Sequence, residues 1–240
     1  RLIRFKHNNL LELETLLKKS RQSNPQKQPL VITESLFSME GTTAPIKEIS
    51  KLCIKYDSKL LIDEAHAFGV MGPEGRGESF GLKEPISIIS GTFGKAFGSG
   101  GAFLATDKIT GENLIQNCGA FRYTTALAPP LCGSALAALN LIESNPSWGS
   151  ELRKKSIALR DRLSQIGWQR PAGEGPIISI ILGSDELAMD YQKRLEAQGL
   201  LAVAIRPPTV PEGQSRLRLV IRRNTPVQAF ERLVEVLKNK

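Results

Sequence analysis

The chain has 240 residues, 41% of them hydrophobic, with 32 basic against 24 acidic side chains and a net charge of +8. That length buries a sizeable core in one large domain or two smaller ones. Its longest apolar runs, such as residues 177–182, fall far short of the roughly 18 residues a membrane-spanning helix needs, which argues against a membrane role. A basic balance raises nucleic acid as a partner. The positive residues are scattered, however, in short clusters such as Arg153-Lys154-Lys155 and Arg222-Arg223, without the interleaved aromatics that stack on bases. The excess reads as a solvated surface that helps attract an anionic substrate carrier. Cys53, Cys118 and Cys132 form no CxxC pair and have no histidine cluster near them. Neither a disulfide framework nor a metal site is suggested, and a reducing cytoplasm fits. The chain opens on Arg1 with no apolar or amphipathic leader, so it is expected to begin inside a longer protein.

In chain order, Leu10, Leu13, Leu16 and Leu17 recur at helical spacing, RQSNPQKQP breaks the pattern, and PLVITESLF predicts a strand. Pro45 starts a second amphipathic helix through Ile46, Ile49, Leu52, Cys53 and Tyr56, with Cys53 read as a small buried hydrophobe. The strand Lys59-Leu60-Leu61-Ile62 then ends at Asp63. A strand, a helix and a strand in succession predict parallel pairing. Further strands over residues 86–90 and 101–105 flank the glycine-rich GTFGKAFGSGG, and their continuous apolar character predicts a sheet covered on both faces. Pro129-Pro130 opens a long helix through Leu131, Ala135, Leu139 and Ile142, and SNPSWGS predicts a boundary near residue 147. Beyond it the pattern predicts a helix at 151–166, a strand at 177–182, a helix at 185–198, strands at 201–205 and 215–221, and a helix at 226–238. The expected organisation is α/β: a large domain with a mostly parallel sheet over residues 1–147, incomplete at its amino end, and a smaller α+β domain over 148–240.

Two segments carry chemistry. Asp63-Glu64-Ala65-His66 follows a predicted strand, at the carboxyl end where open α/β sheets present their ligand sites. A capping Asp and a structurally satisfied His are the plainer alternatives for that tetrapeptide alone. At another strand end, Lys95 stands among small residues in Ser90-Gly91-Thr92-Phe93-Gly94-Lys95-Ala96-Phe97-Gly98. A Schiff-base lysine requires such a setting, because a buried, partly desolvated amine loses its proton and small neighbours let a planar cofactor approach. The phosphate-binding loop GxxxxGK[ST] is a rival, but Ala96 follows Lys95 and breaks it. A carboxylate that keeps a pyridine nitrogen protonated and a lysine that holds an aldehyde are what pyridoxal phosphate (PLP) chemistry requires.

The segments LLIDEAHAFGVMGPEGRGES, SGTFGKAFGSGGAFLA and IRPPTVPEGQSRLRL, in that order, are similar to signature stretches of the α-oxoamine synthase family of fold-type I PLP enzymes, and the resemblance runs over essentially all 240 residues. It implies that Lys95 binds the cofactor covalently and then acts as base at the amino acid's α-carbon. By the same resemblance Asp63 pairs with the pyridine nitrogen, His66 bonds the phenolic oxygen, Ser38 lies beside the ring and Thr92 meets the phosphate. Arg206 would receive the substrate carboxylate in its planar fork, with Thr209 on the substrate side. Plainer readings stand beside these: Ser38 as a turn residue, Thr92 as a strand-end residue, Arg206 as a surface ion pair and Thr209 as loop chemistry. Thr124 and Thr125 resemble a stretch that reaches a neighbouring subunit's phosphate site, which implies a homodimer. The implied reaction joins L-alanine to a pimeloyl thioester, on coenzyme A (pimeloyl-CoA) or a pimeloyl carrier protein, with loss of carbon dioxide. A glycine-using relative acting on a short acyl-CoA is the alternative within the family. A noncatalytic partner subunit is the alternative outside it, against which the intact Lys95 argues. Family members also carry an amino-terminal segment with a phosphate-holding glycine turn and a ring-stacking histidine. His7 does not match that histidine, so the isolated chain is expected to be inactive.

Overall fold

A computed structural model describes residues 1–238. The chain divides into two compact units, one of Arg1–Leu36 with Thr43–Pro146, the other of Phe37–Thr42 with everything from Ser147 onward. The short segment Phe37–Thr42 thus leaves the unit that surrounds it in sequence, a difference from a first domain running unbroken to residue 147.

The first unit is built from α1 (Leu10–Ser23), β1 (Leu30–Glu34), α2 (Ile46–Lys55), β2 (Lys59–Asp63), β3 (Ile88–Thr92), β4 (Ala102–Thr106), α3 (Lys108–Asn117), α4 (Gly119–Arg122) and α5 (Pro129–Glu143). The sheet order is β1-β2-β3-β4. β1, β2 and β3 pair in parallel, and β4 pairs antiparallel to β3. Residues 93–101 between β3 and β4 are too few for a parallel crossover, which needs a dozen or more, so the chain must turn back. α1 and α2 pack on one face of the sheet, where Leu13, Leu17, Val31, Ile49, Cys53, Leu60 and Ile62 form one buried cluster. Glu14 fastens the two helices by accepting from Lys55 Nζ at 2.7 Å and Tyr56 Oη at 2.9 Å, and the Lys55 bond holds its carboxyl below the usual carboxylate range.

The expectation of a sheet covered on both faces is not met in this chain. β1 alternates, and Ile32 is 57% exposed on the face opposite the helices. The apolar run reads as continuous, but the Ile32 side of β1 is open to solvent. α3 and α4 were not predicted, because neither buries a residue and so neither shows an apolar stripe. The local signal was the cap: Asp107 accepts from Thr110 N–H at 2.9 Å.

The second unit contains α6 (Trp148–Gln165), β5 (Ile177–Gly183), α7 (Asp185–Ala197), β6 (Val203–Ile205), β7 (Ser215–Val220) and α8 (Val227–Lys238), with an antiparallel sheet in the order β5-β7-β6. Alternation sorts its two faces. Ile178, Ile180, Leu217 and Leu219 are buried on the side packed by α7, while Ser179, Arg216 and Arg218 share the other. Arg160 of α6 is 0% exposed. Its guanidinium donates to the carbonyls of Ala172 (3.2 Å), Gly175 (2.9 Å) and Ile177 (2.7 Å), and burial pushes its pKa down to about 10. The planar fork lets one cation hold several main-chain carbonyls of the segment leading into β5 at once.

Cys53 is 3% exposed, and burial raises its thiol from 9.0 to about 11. A group raised in the folded state stabilises the fold below its unfolded value, and that contribution disappears as pH climbs through the folded value. Between about pH 9 and 11 the protein should therefore lose about 2 kcal/mol that Cys53→Ala does not lose. Urea midpoints of the two proteins at the ends of that range check this, and parallel pH slopes would rule it out.

Candidate active site

Because β1, β2 and β3 run in parallel, their carboxyl ends gather on one edge, where the register pairs Glu34 with Asp63 and Asp63 with Ser90. Asp63 is half-buried there, and its Oδ1 accepts from Ala65 N–H at 2.7 Å. That turn presents His66, also half-buried. On the neighbouring strand Thr92 ends β3. Its hydroxyl donates to the Gly101 carbonyl at 3.0 Å and accepts from Gly94 N–H at 3.1 Å, so the strand-end role applies whatever else the hydroxyl does. Lys95 lies in the turn that follows. Hydrogen bonds from Phe93 N–H to Gly101 (2.9 Å), Ser99 N–H to Phe93 (2.8 Å) and Gly98 N–H to Lys95 (3.0 Å) close that turn. Phe93 packs on Phe97 and Phe103, with ring centroids 5.5 and 5.2 Å away. The first unit thus places a carboxylate, an imidazole, a hydroxyl and a primary amine on adjacent strand ends.

One expectation is corrected here. Lys95 is exposed, not buried. The small residues that would let a planar group approach, Gly94 and Ala96, also leave the amine open to water.

The remaining sequence candidates lie on the second unit. Arg206 and Thr209 close a turn after β6, with Thr209 N–H donating to the Arg206 carbonyl at 3.0 Å, and both are exposed. Ser38 sits in the segment Phe37–Thr42, which crosses the polar face of the three-stranded sheet. Arg218 Nε donates to the Ser38 carbonyl at 2.7 Å, Ser179 Oγ donates to the Met39 carbonyl, and Arg216 Nη1 lies 3.5 Å from Glu40 Oε1. At Gly41, with φ +73°, a Cβ would stand 2.1 Å from the Ile177 carbonyl oxygen, so the strap seats only with glycine there. Thr124 and Thr125 lie exposed between α4 and α5.

Arg218 is the residue the sequence reading passed over. The signal was the alternation in Arg216-Leu217-Arg218-Leu219, which puts two cations on the face of a strand opposite its core leucines. Such a face needs a polar cover, and the Ser38 segment supplies it.

A family model described as aminotransferase class I and II matches residues 1–237. The 8-amino-7-oxononanoate synthase of Methylobacillus flagellatus is 40% identical over 238 residues, covering 98% of this chain and 59% of that protein. Among solved structures, SPT with its PLP internal aldimine matches with a TM-score of 0.89 at 27% identity, covering 98% of this chain and 60% of that one. The 8-amino-7-oxononanoate synthase from Francisella tularensis matches with a TM-score of 0.82 at 26% identity, covering 99% and 68%. The chain spans about 60% of the length of the curated relatives it matches.

The strap gives a testable contrast. Gly41→Ala forces both a left-handed backbone and a 2.1 Å overlap with main chain, whereas Gly213→Ala, at φ +72°, meets nothing within 4 Å. Urea denaturation should show a loss of about 1 kcal/mol for Gly213→Ala and about 3 kcal/mol or more for Gly41→Ala. Equal losses would mean that the strap is not seated as described.

Proposed function

The chain belongs to the aminotransferase class I and II family, and from that premise we propose that the protein carries out the PLP-dependent decarboxylative condensation of L-alanine with a pimeloyl thioester to 8-amino-7-oxononanoate. The observation that carries the reading is the gathering of Asp63, His66, Thr92 and Lys95 on adjacent strand ends, together with 40% identity to a synthase of that name. The donor set fits PLP: an acid for the ring nitrogen, an imidazole for the phenolic oxygen, a hydroxyl for the phosphate and an amine for the aldehyde.

When bound, PLP supplies a sink for the electron pair left on the amino acid's α-carbon. The residues of the chain do the rest. Asp63, as a carboxylate, holds the proton on the pyridine nitrogen by placing negative charge beside it. His66 donates toward the phenolic oxygen. Thr92 reaches a phosphate only by turning its hydroxyl away from Gly101. Lys95 Nζ holds the cofactor's aldehyde and, once displaced by alanine, accepts the α-proton. Its water exposure in this chain means that any lowering of its basicity depends on groups that cover it.

Arg206 is the first candidate for the substrate carboxylate. A second reading has a specific observation behind it: Arg218 is half-buried and anchored on the Ser38 carbonyl, which presets its guanidinium plane next to a residue assigned to the cofactor ring. A second copy of the chain, meeting the exposed Thr124 and Thr125, belongs to the same reading. So does a cytoplasmic setting, in keeping with free Cys53, Cys118 and Cys132. No helix among the described residues is long and apolar enough to cross a membrane.

In the full-length protein, borohydride reduction in the presence of PLP should mark one peptide, the one containing Lys95, and a label on any other lysine would defeat the assignment. Asp63→Asn should lower kcat by roughly two to four orders of magnitude, the scale of losing one partner of a charged pair at ~3–5 kcal/mol. Steady-state rates with alanine and glycine side by side decide the amino acid. Of Arg206→Lys and Arg218→Lys, the one that raises the alanine KM well above the thioester KM identifies the carboxylate receptor.

A further inference from the structure

Glu64 stands between two proposed cofactor residues and has no part in the chemistry above. It is 0% exposed, yet the three donors to its carboxylate are all neutral. Ser35 Oγ donates at 2.6 Å, Ser79 N–H at 2.7 Å and Glu78 N–H at 3.1 Å. Its own main chain is equally engaged. Glu64 N–H donates to the Ser90 carbonyl at 2.8 Å, and its carbonyl accepts from Ala67 (2.8 Å) and Phe68 (3.0 Å). Ser35 N–H in turn donates to the Asp63 carbonyl at 2.9 Å. One buried residue therefore joins β1, β2 and β3 to the loop at residues 78–79, its side chain reaching Ser35, Glu78 and Ser79 and its main chain reaching Ser90.

Charge is costly to bury, so a carboxylate without a cation needs every lone pair it can fill. Here the need is specific. Three donors converge on one point, and only a group that accepts at both oxygens satisfies them all. An amide would turn an NH2 toward at least one of those donors.

We propose that Glu64 is a positioning residue: by gathering Ser35, Glu78 and Ser79 it fixes the strand-end turn from which Asp63 and His66 meet the cofactor. This rests on the reading of those two residues as PLP contacts. The coupling is short. Asp63 and His66 flank Glu64 in sequence, the Asp63 carboxylate is itself held by the Ala65 amide at 2.7 Å, and a Coulomb contact between carboxylate and ring nitrogen weakens as the two are separated. Loosening the Glu64 node lets the turn shift and moves the carboxylate from the ring.

The test uses the full-length protein, with PLP alone as the probe. Glu64→Gln keeps the size and places a donor among donors, while Ser35→Ala removes one donor and leaves both amides in place. PLP affinity, followed through the bound cofactor's visible absorption, should fall at least about tenfold in Glu64→Gln, and the pH midpoint of that absorption should move by ~0.5 or more. Ser35→Ala should move both in the same direction by less, which keeps the question answerable should Glu64→Gln fail to fold. In an Asp63→Asn background the Glu64→Gln shift in midpoint should vanish, since the group it acts through has lost its charge. Faster amide exchange at Glu78 and Ser79 with unaltered affinity and midpoint would overturn the proposal, leaving Glu64 as a loop fastener. PLP binding by the parent protein separates the two readings. If the parent does not bind it, the functional reading falls and takes this role with it. If it binds and neither variant differs from the parent, only the role of Glu64 falls.

Discussion

Glu64 N–H donates to the Ser90 carbonyl at 2.8 Å, and Ser35 N–H donates to the Asp63 carbonyl at 2.9 Å, so the parallel ladders continue one residue beyond the ends of β1 and β2. The candidate site depends on this continuation. Parallel strands deliver their carboxyl ends to the same edge, and the slanted ladder sets neighbouring ends at a defined offset. Asp63 and the run from Ser90 to Thr92 are placed by main-chain bonds before any side chain is considered. β4 then returns antiparallel, so both ends of the Lys95 turn are held by the sheet, with Thr92 paired to Ala102. The backbone of the lysine is fixed while its side chain stays exposed.

The second unit solves a different problem, that of placing cations near main chain. Arg160 and Arg218 both donate to carbonyl oxygens, Arg160 from full burial to Ser156 in its own helix and to three in residues 172–177, and Arg218 to Ser38. A guanidinium has five donors in one plane and gives up its proton reluctantly, so it can serve as a fastener where a lysine could not. Arg160 spends its donors on residues 172–177 and stiffens the entry to β5. Arg218 and Ser179, paired in register across β7 and β5, hold the strap that carries Ser38. The strap is short and tightly specified, with a main-chain carbonyl pressed against Gly41, and its place in this unit is what makes Ser38 and Arg206 parts of one body.

Much of this was legible in the residues. The helices of Leu10–Ser23, Ile46–Lys55 and Pro129–Glu143 and the strand ending at Asp63 follow from apolar spacing and from prolines, because a period of 3.6 or of 2 is a property of the local chain. The chemical candidates were legible for the same reason: a carboxylate, an imidazole and a lysine after apolar strands mark strand ends without any knowledge of what packs on them. α3 escaped because a helix that buries nothing has no stripe to read.

The sequence by itself determined the elements that carry an apolar stripe or run, their order and the strand-end positions of Asp63, His66, Thr92 and Lys95, since each depends on neighbours within a few residues. Only the tertiary structure decided that Ile32 stays open on one face of β1, that Lys95 is exposed, and that Ser38 belongs with Arg218, 180 residues away. The physical reason is common to all three. Coverage and partnership are set by groups that meet across long stretches of chain, and a residue's exposure or its hydrogen-bond partner has no period along the sequence from which it could be read.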